Sequence, residues 1–331
     1  MAEHDDSDIA RVLRAAGGRA NPSDDMTRAV YEAVHAEWRA TVERQRRKRM
    51  HRVWLAAAAS IAVAAIALFA SRGLIHTPGE LMADVSRSAG VVQFREGDSD
   101  EWQSAAATKS LRIGQSIHTG ADGRVALALR DGVSLRLDHD TNVAIVSADR
   151  VDVRTGAVYL DSGVSGPSAA RLQVGTPAGI VRHVGTQYEA RILSSGTRVR
   201  VREGRVDVMP ANGPARTLEV GDQILVSSAG VEQRSRIEPS SDEWDWASNA
   251  APEFDINGKP VQEFLAWAGR ETGLKVVFTS AESASEARRA VLSGSIAGLN
   301  PDEALAAVLP TTSLKGTEKD GQLVVEIASV R

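Results

Sequence analysis

The chain has 331 residues, 43% of them hydrophobic and 25% charged, with a net charge of -4 and no cysteine. That length and apolar share allow two or three domains with buried cores and exclude a wholly disordered chain. The charge argues against nucleic-acid binding by the whole protein, and the lack of thiols excludes disulfides, thiolate metal sites and cysteine nucleophiles.

From the N-terminus, Ile9, Val12, Leu13 and Ala16 share one helical face. Gly17, Gly18 and Pro22 stop that helix, and Ser23 or Asp24 can cap a second one carrying Met26, Val30, Val34 and Trp38, with Tyr31 and Val42 beside them. Two short amphipathic helices are too small for a good core of their own. Their apolar faces call for a partner, and a helix gripped in a groove is the expected mode.

The run "VWLAAAASIAVAAIALFA", residues 53–70, has no charged side chain. At about 1.5 Å per residue it just covers a bilayer core of about 30 Å, so it is a candidate transmembrane helix. Arg44, Arg46, Arg47, Lys48, Arg49 and Arg52 precede it, and only Arg72 follows closely. The excess of positive charge predicts that residues 1–52 are cytoplasmic and that the chain beyond residue 70 lies outside the cytoplasm.

From about Leu81 to Arg236 short period-two runs alternate with glycine turns, which predicts an all-β domain, a sandwich, a barrel or a solenoid. The clearest pair is Val125, Leu127 and Leu129 against Val133, Leu135 and Leu137, joined at Asp131-Gly132 as a hairpin. Further strands are expected at 143–146, 151–153, 157–160, 171–174, 180–192, 198–201, 205–209 and 223–226. The histidines His76, His118, His139 and His183 have no spacing that puts two on one metal. Asp161-Ser162-Gly163 has the look of an aspartic-protease loop, but that chemistry needs two carboxylates sharing a proton, and a tripeptide does not supply them. Arg198, Arg200 and Arg202 form a basic row that reads as a solvated strand face.

The stretch "IVRHVGTQYEARI", residues 180–192, reads as a strand broken at its centre. Val184, Thr186, Tyr188, Ala190 and Ile192 alternate on one face, with His183, Gln187, Glu189 and Arg191 on the other. Gly185 weakens a strand interior unless a bulge, a bend or a close backbone approach needs it.

The succession "GQSIHTGADGRVALALRDGVSLRLDHDTNVAI", "VDVRTGAVYL", "LQVGTPAGIVRHVGTQYEARI", "GTRVRVREGRVDV" and "LEVGDQILV" resembles the corresponding domain of FecR-family regulators over roughly residues 110–228. The specific words are Asp131-Gly132, Leu137 with Thr141, Gly185-Thr186 followed by an aromatic, and Glu203-Gly204-Arg205-Val206. The resemblance implies a single-pass inner-membrane anti-sigma factor that relays a periplasmic signal, from a TonB-dependent outer-membrane transducer, to an extracytoplasmic-function sigma factor. It makes Val30, Val34 and Trp38 the sigma-binding candidates. Some members resembling the chain at Gly185-Thr186 split themselves there, so those two residues are candidates for a single-turnover self-cleavage. Strand alternation points His183 away from Thr186 and gives it no role as base.

After the polar segment "EPSSDEWDWASNAAP" the pattern changes to strand, helix, strand, then helix and closing hairpin. Val261, Phe264, Leu265 and Ala268 share a helical face, and Asn300-Pro301 opens the second helix. Residues 254–327 are similar to the STN domain, a module that works by surface contact. Trp244 and Trp246 are partner-contact candidates, whereas Trp267 follows buried positions and is expected in the core.

The expected architecture is therefore multidomain. It comprises a short α-helical cytoplasmic segment (1–52), one transmembrane helix (53–70), an all-β periplasmic domain (71–236), a linker (237–252) and a small α+β domain (253–331). Neither cofactor nor metal is expected, and nothing beyond the candidate self-cleavage points to an enzyme. The alternative function is a membrane-anchored envelope protein that binds glycan.

Overall fold

The computed structural model describes residues 80–328, apart from 98, 105–109, 130–131, 164–171, 228 and 231, together with scattered positions between 10 and 32. It divides into two compact units, residues 1–77 and 78–331. In the first, described positions between 10 and 15 and between 24 and 32 are helical, and Val12, Met26 and Val30 are exposed. The run 53–70, and with it the expected membrane span, lies outside the described residues.

In the second unit sixteen described strands form one large curled sheet whose neighbours are antiparallel, except that Gln173–Thr176 runs parallel to Arg150–Thr155. The alternating hairpin forms as expected. Val125 faces Leu137, Leu127 faces Leu135, and the Leu129 N–H donates to the Val133 carbonyl at 2.8 Å. The connection therefore spans three positions rather than two. Leu, Ile and Val side chains from strands across the sheet, among them Ile117, Leu127, Leu137, Val143, Leu160 and Val199, meet in one continuous buried core.

The centre of the sheet is a long hairpin, Gly179–Leu193 with Gly196–Pro210, paired along its whole length. The second of these strands unites the two runs expected at 198–201 and 205–209. Both strands change neighbours near their middle. The first pairs with Gln173–Thr176 through residues 179–182 and with Ala157–Asp161 through 187–191. Its partner pairs with Asp222–Val226 through 197–200 and with Arg216–Glu219 through 205–208.

The C-terminal part adds helices α1 (Asp245–Asn249), α2 (Val261–Thr272), α3 (Ala281–Arg289) and α4 (Pro301–Val308) and a three-stranded sheet. In that sheet Gln322–Ile327 lies between Lys275–Phe278 and Leu314–Lys319. Val261, Phe264, Leu265 and Ala268 of α2 are all buried in its core, with Trp267 packed against them. Asn300 caps α4 reciprocally with Glu303, each side chain accepting from the other's backbone N–H at 2.9 Å.

The expected multidomain architecture with a transmembrane helix is corrected here. Among the described residues the protein is mostly β with few helices, and no helix is long and apolar enough to cross a membrane. The longest of them, α2, has twelve residues and a single apolar face. Residues 78–331 form one compact unit, within which the large sheet and the C-terminal part each keep a hydrophobic core. The segment expected as a linker holds a 3-10 turn, Asp242–Trp244, and α1. Its polar side chains find partners inside the protein, and Trp244 forms a small core with Tyr159, Ile237 and Ala247. A polar composition marks a linker only where its acids and serines have nothing but water to bond.

Candidate functional site: a glycine bulge and the seam that holds it

The break in the strand at Gly185 is a β-bulge. Val184 faces Arg205 and Gln187 faces Glu203, so Gly185 and Thr186 together oppose Gly204 alone. Gly185 has φ +61° and Gly204 φ +78°, a region that costs other residues strain. Gly204 is also required sterically, because a Cβ there would lie 2.2 Å from the Gly185 carbonyl oxygen. The bulge falls where both long strands exchange neighbours, the usual way a sheet turns a corner.

An extra residue in a strand reverses the alternation beyond it. Val181 before the bulge and Tyr188 and Ala190 after it lie in the hydrophobic core, and the buried His183 ring packs against that of Tyr188. His183 therefore shares the core side with Thr186, which corrects the expectation that it points away. The rings of His183 and Tyr188 lie 5.9 Å apart. Burial pulls the His183 imidazole down to about 4 and pushes the Tyr188 phenol up. At neutral pH both are uncharged. Both His183 nitrogens, the Tyr188 hydroxyl and the Thr186 hydroxyl are buried without a hydrogen-bond partner among the described residues. Four such atoms within six residues are unusual in a native core.

The backbone of Thr186 is held from the neighbouring strand. Its N–H donates to Ser162 Oγ at 2.7 Å, Ser162 Oγ donates to the Thr186 carbonyl at 3.1 Å, and the Ser162 N–H donates to the same carbonyl at 3.0 Å. Asp161, next to Ser162, is a charged hub. It accepts from Gln187 Nε2 at 3.0 Å and from Arg270 of α2, and Arg136 stands 3.9 Å away. Burial pushes the Asp161 carboxyl up, yet Arg270, Arg136 and Gln187 more than offset it and hold it below the usual carboxylate range.

The seam between sheet and helices is built from buried ions. Arg136 makes a bidentate pair with Glu271 at 2.6 and 2.8 Å and donates to the Ala247 carbonyl at 2.8 Å. Arg202 donates to the carbonyls of Pro239 and Glu271 at 2.7 and 2.8 Å, the second at the C-terminal end of α2, where a cation is favoured. Glu189, wholly buried, accepts from Arg198 and Arg200 at 3.0 Å and from Trp246 Nε1 at 2.7 Å. Burial would raise its carboxyl, but Arg200, Arg191 and Arg198 bring it below the ordinary range. The row Arg198, Arg200 and Arg202 is thus not a solvated face. Arg200 and Arg202 are buried: Arg200 meets the Glu189 and Glu243 carboxylates, and Arg202 meets backbone carbonyls and Ser248 of the same chain.

Among the expected partner contacts, Trp244 is wholly enclosed. Its Nε1 donates to the Glu238 carbonyl at 3.0 Å, and the Arg200 guanidinium lies 4.5 Å from its ring. Trp246 is half-buried beside it. Val30 is 59% exposed, while Val34 and Trp38 lie outside the described residues. The sequence reading missed Ser162, Glu203, Gly204 and Arg270 as partners of Gly185-Thr186. Glu203-Gly204 had left a signal, as part of a family word, and Ser162 only within Asp161-Ser162-Gly163; Arg270 left none.

No curated protein matches the chain. Two crystal structures of a proposed anti-sigma factor from Parabacteroides distasonis ATCC 8503 align over 65% of this chain and 99% of their own, at 16% identity and a TM-score of 0.34. Residues 115–207 match the family described as FecR protein, a span that contains Ser162, the Gly185-Thr186 bulge and Gly204. Over that span, under a third of its length, the chain is similar to the FecR family.

Proposed function

We propose that the protein is an anti-sigma-type regulator. The observation that carries this reading is the similarity to the FecR family at residues 115–207. On this reading the N-terminal segment, through Val30, Val34 and Trp38, holds an extracytoplasmic-function sigma factor. Residues 78–331 answer to a periplasmic partner, a TonB-dependent transducer of the outer membrane. The chain belongs at the bacterial inner membrane with its N-terminus cytoplasmic, and the basic residues 44–52 beside an uncharged run favour that placement. The full-length chain isolated from its own cells should carry a sigma factor, reduced in Trp38→Ala. Recovery of envelope glycan and no sigma factor would instead favour an envelope-binding role.

The reading includes one covalent step at Gly185-Thr186, favoured by the buried Thr186 hydroxyl, which has no hydrogen-bond partner among the described residues, and by the bulge that places it beside the Gly185 carbonyl. Thr186 Oγ attacks the Gly185 carbonyl carbon and gives up its proton, which the amide nitrogen takes. The C–N bond breaks as the nitrogen gains that proton, leaving an ester. Water then cleaves the ester to a Gly185 carboxylate and a free Thr186 amine, with the hydroxyl restored. Such a cut separates the segment that holds the sigma factor from the covalent chain beyond it. Intact mass is the assay: two fragments dividing before Thr186, absent in Thr186→Ala, support the step, and one undivided species over days refutes it.

A further inference from the structure

The Gly185-Thr186 peptide lies between two clamps. On one side Ser162 brackets the Thr186 backbone, and Ser162 follows Asp161. On the other Gly204 abuts the Gly185 carbonyl, and Gly204 follows Glu203. One side chain reaches both carboxylates. Arg270, in the last turn of α2, donates through Nε and Nη2 to Asp161, at 3.2 Å for the first, and through Nη1 to Glu203 at 2.5 Å. Gln187, the residue after Thr186, joins the same group through Asp161.

We propose that Arg270 is a positioning residue for the Gly185-Thr186 peptide, through which α2 and the helices packed on it set the geometry of the bulge. The regulatory part of this inference rests on the self-cleavage reading above, whereas the mechanical part does not. The rest of α2 is fixed independently, by the burial of Val261, Phe264, Leu265 and Ala268. Arg270 therefore transmits the position of that module to the bulge instead of following it. A bidentate guanidinium on Asp161 and a second arm on Glu203 hold two strands at a set spacing, which a single point charge cannot do. A cleft of about 590 Å³ opens beside the clamp, lined by Gln187, Glu203 and Arg270 among others. A partner group entering it reaches Arg270 without unfolding the module. Displacing α2 frees Asp161 and Glu203 together and lets the bulge relax.

The test uses hydrogen exchange on the full chain in a Thr186→Val background, which keeps it undivided. Arg270→Ala should speed exchange of the residue-186 amide by about tenfold to a hundredfold, the change expected for losing a hydrogen bond to a charged group. Exchange in the distant hairpin 125–137 should stay as it was. Glu203→Gln, at the half-exposed arm, should give a smaller rise in the same segment, and Arg270→Lys should fall between the two. In the chain with Thr186 restored, Arg270→Ala should slow division by a similar factor. Unchanged exchange at residue 186 overturns the proposal, even if the unaltered chain divides. Faster exchange in a chain that never divides establishes the clamp and refutes the self-cleavage reading alone.

Discussion

Removing Glu271 should be among the most costly single changes in residues 78–331. Arg136 is 1% exposed, so water does not replace what it loses. Glu271→Ala deletes two charge-assisted hydrogen bonds, at 2.6 and 2.8 Å. What remains to the guanidinium is the Ala247 carbonyl at 2.8 Å and Asp161 at 3.9 Å, the latter already engaged by Arg270. Breaking a buried pair in this way costs about 3–5 kcal/mol, or roughly 6–20 °C in the midpoint of a unit this size. The double change Arg136→Met with Glu271→Leu should recover most of that loss, because it leaves no buried charge unpaired. Guanidinium unfolding followed by tryptophan fluorescence is the assay, since Trp244 and Trp246 lie at the seam. A loss below about 1 kcal/mol for Glu271→Ala, within the range of an exposed pair, would refute the seam as the element joining sheet to helices.

His183 predicts an acid-sensitive stability. Between its ordinary value and about 4 the unfolded chain takes up a proton that the folded chain refuses. Stability should therefore fall as pH drops from about 6.5 to about 4, by roughly 1.4 kcal/mol per unit, and His183→Gln should flatten that slope in a series of urea midpoints. The carboxyls of Asp161 and Glu189 are held low, so their contribution is complete above the unfolded carboxylate range, about 4, and is lost as pH falls further. Asp161→Asn should weaken the additional acid transition below about pH 4. Thr186→Val removes a buried hydroxyl with no hydrogen-bond partner among the described residues and should leave stability unchanged or higher by up to about 1 kcal/mol. A larger loss on urea unfolding would mean that the hydroxyl has a partner. Gly204→Ala places a carbon against the Gly185 carbonyl, so it should destabilise by more than about 1 kcal/mol and unsettle amides 184–187 in hydrogen exchange.

Local pattern carried the strands, the hairpin at 125–137, the buried face of α2 and the cap at Asn300, because each depends on residues within a turn or two. The FecR resemblance was likewise legible, its words falling in register along residues 110–228. The bulge was only half legible. Gly185 announced an irregularity, but the reversal of His183 onto the core side depends on counting Gly204 across the strand. The seam was not legible, because Arg136 and Glu271 stand 135 residues apart and periodicity says nothing about which charges will meet. For the same reason Arg200 and Arg202 read as solvated, and the segment 237–252 read as a linker when Trp244 and Ser248 bind it to the sheet.

The central claim is that the chain restrains a sigma factor. The most direct measurement is transcription in vitro from the cognate promoter, by core RNA polymerase saturated with that sigma factor, as full-length chain is added. Output should fall in stoichiometric proportion to the chain, and the Trp38→Ala chain should need a higher concentration for the same fall. Output unchanged at a severalfold excess of chain would contradict the account.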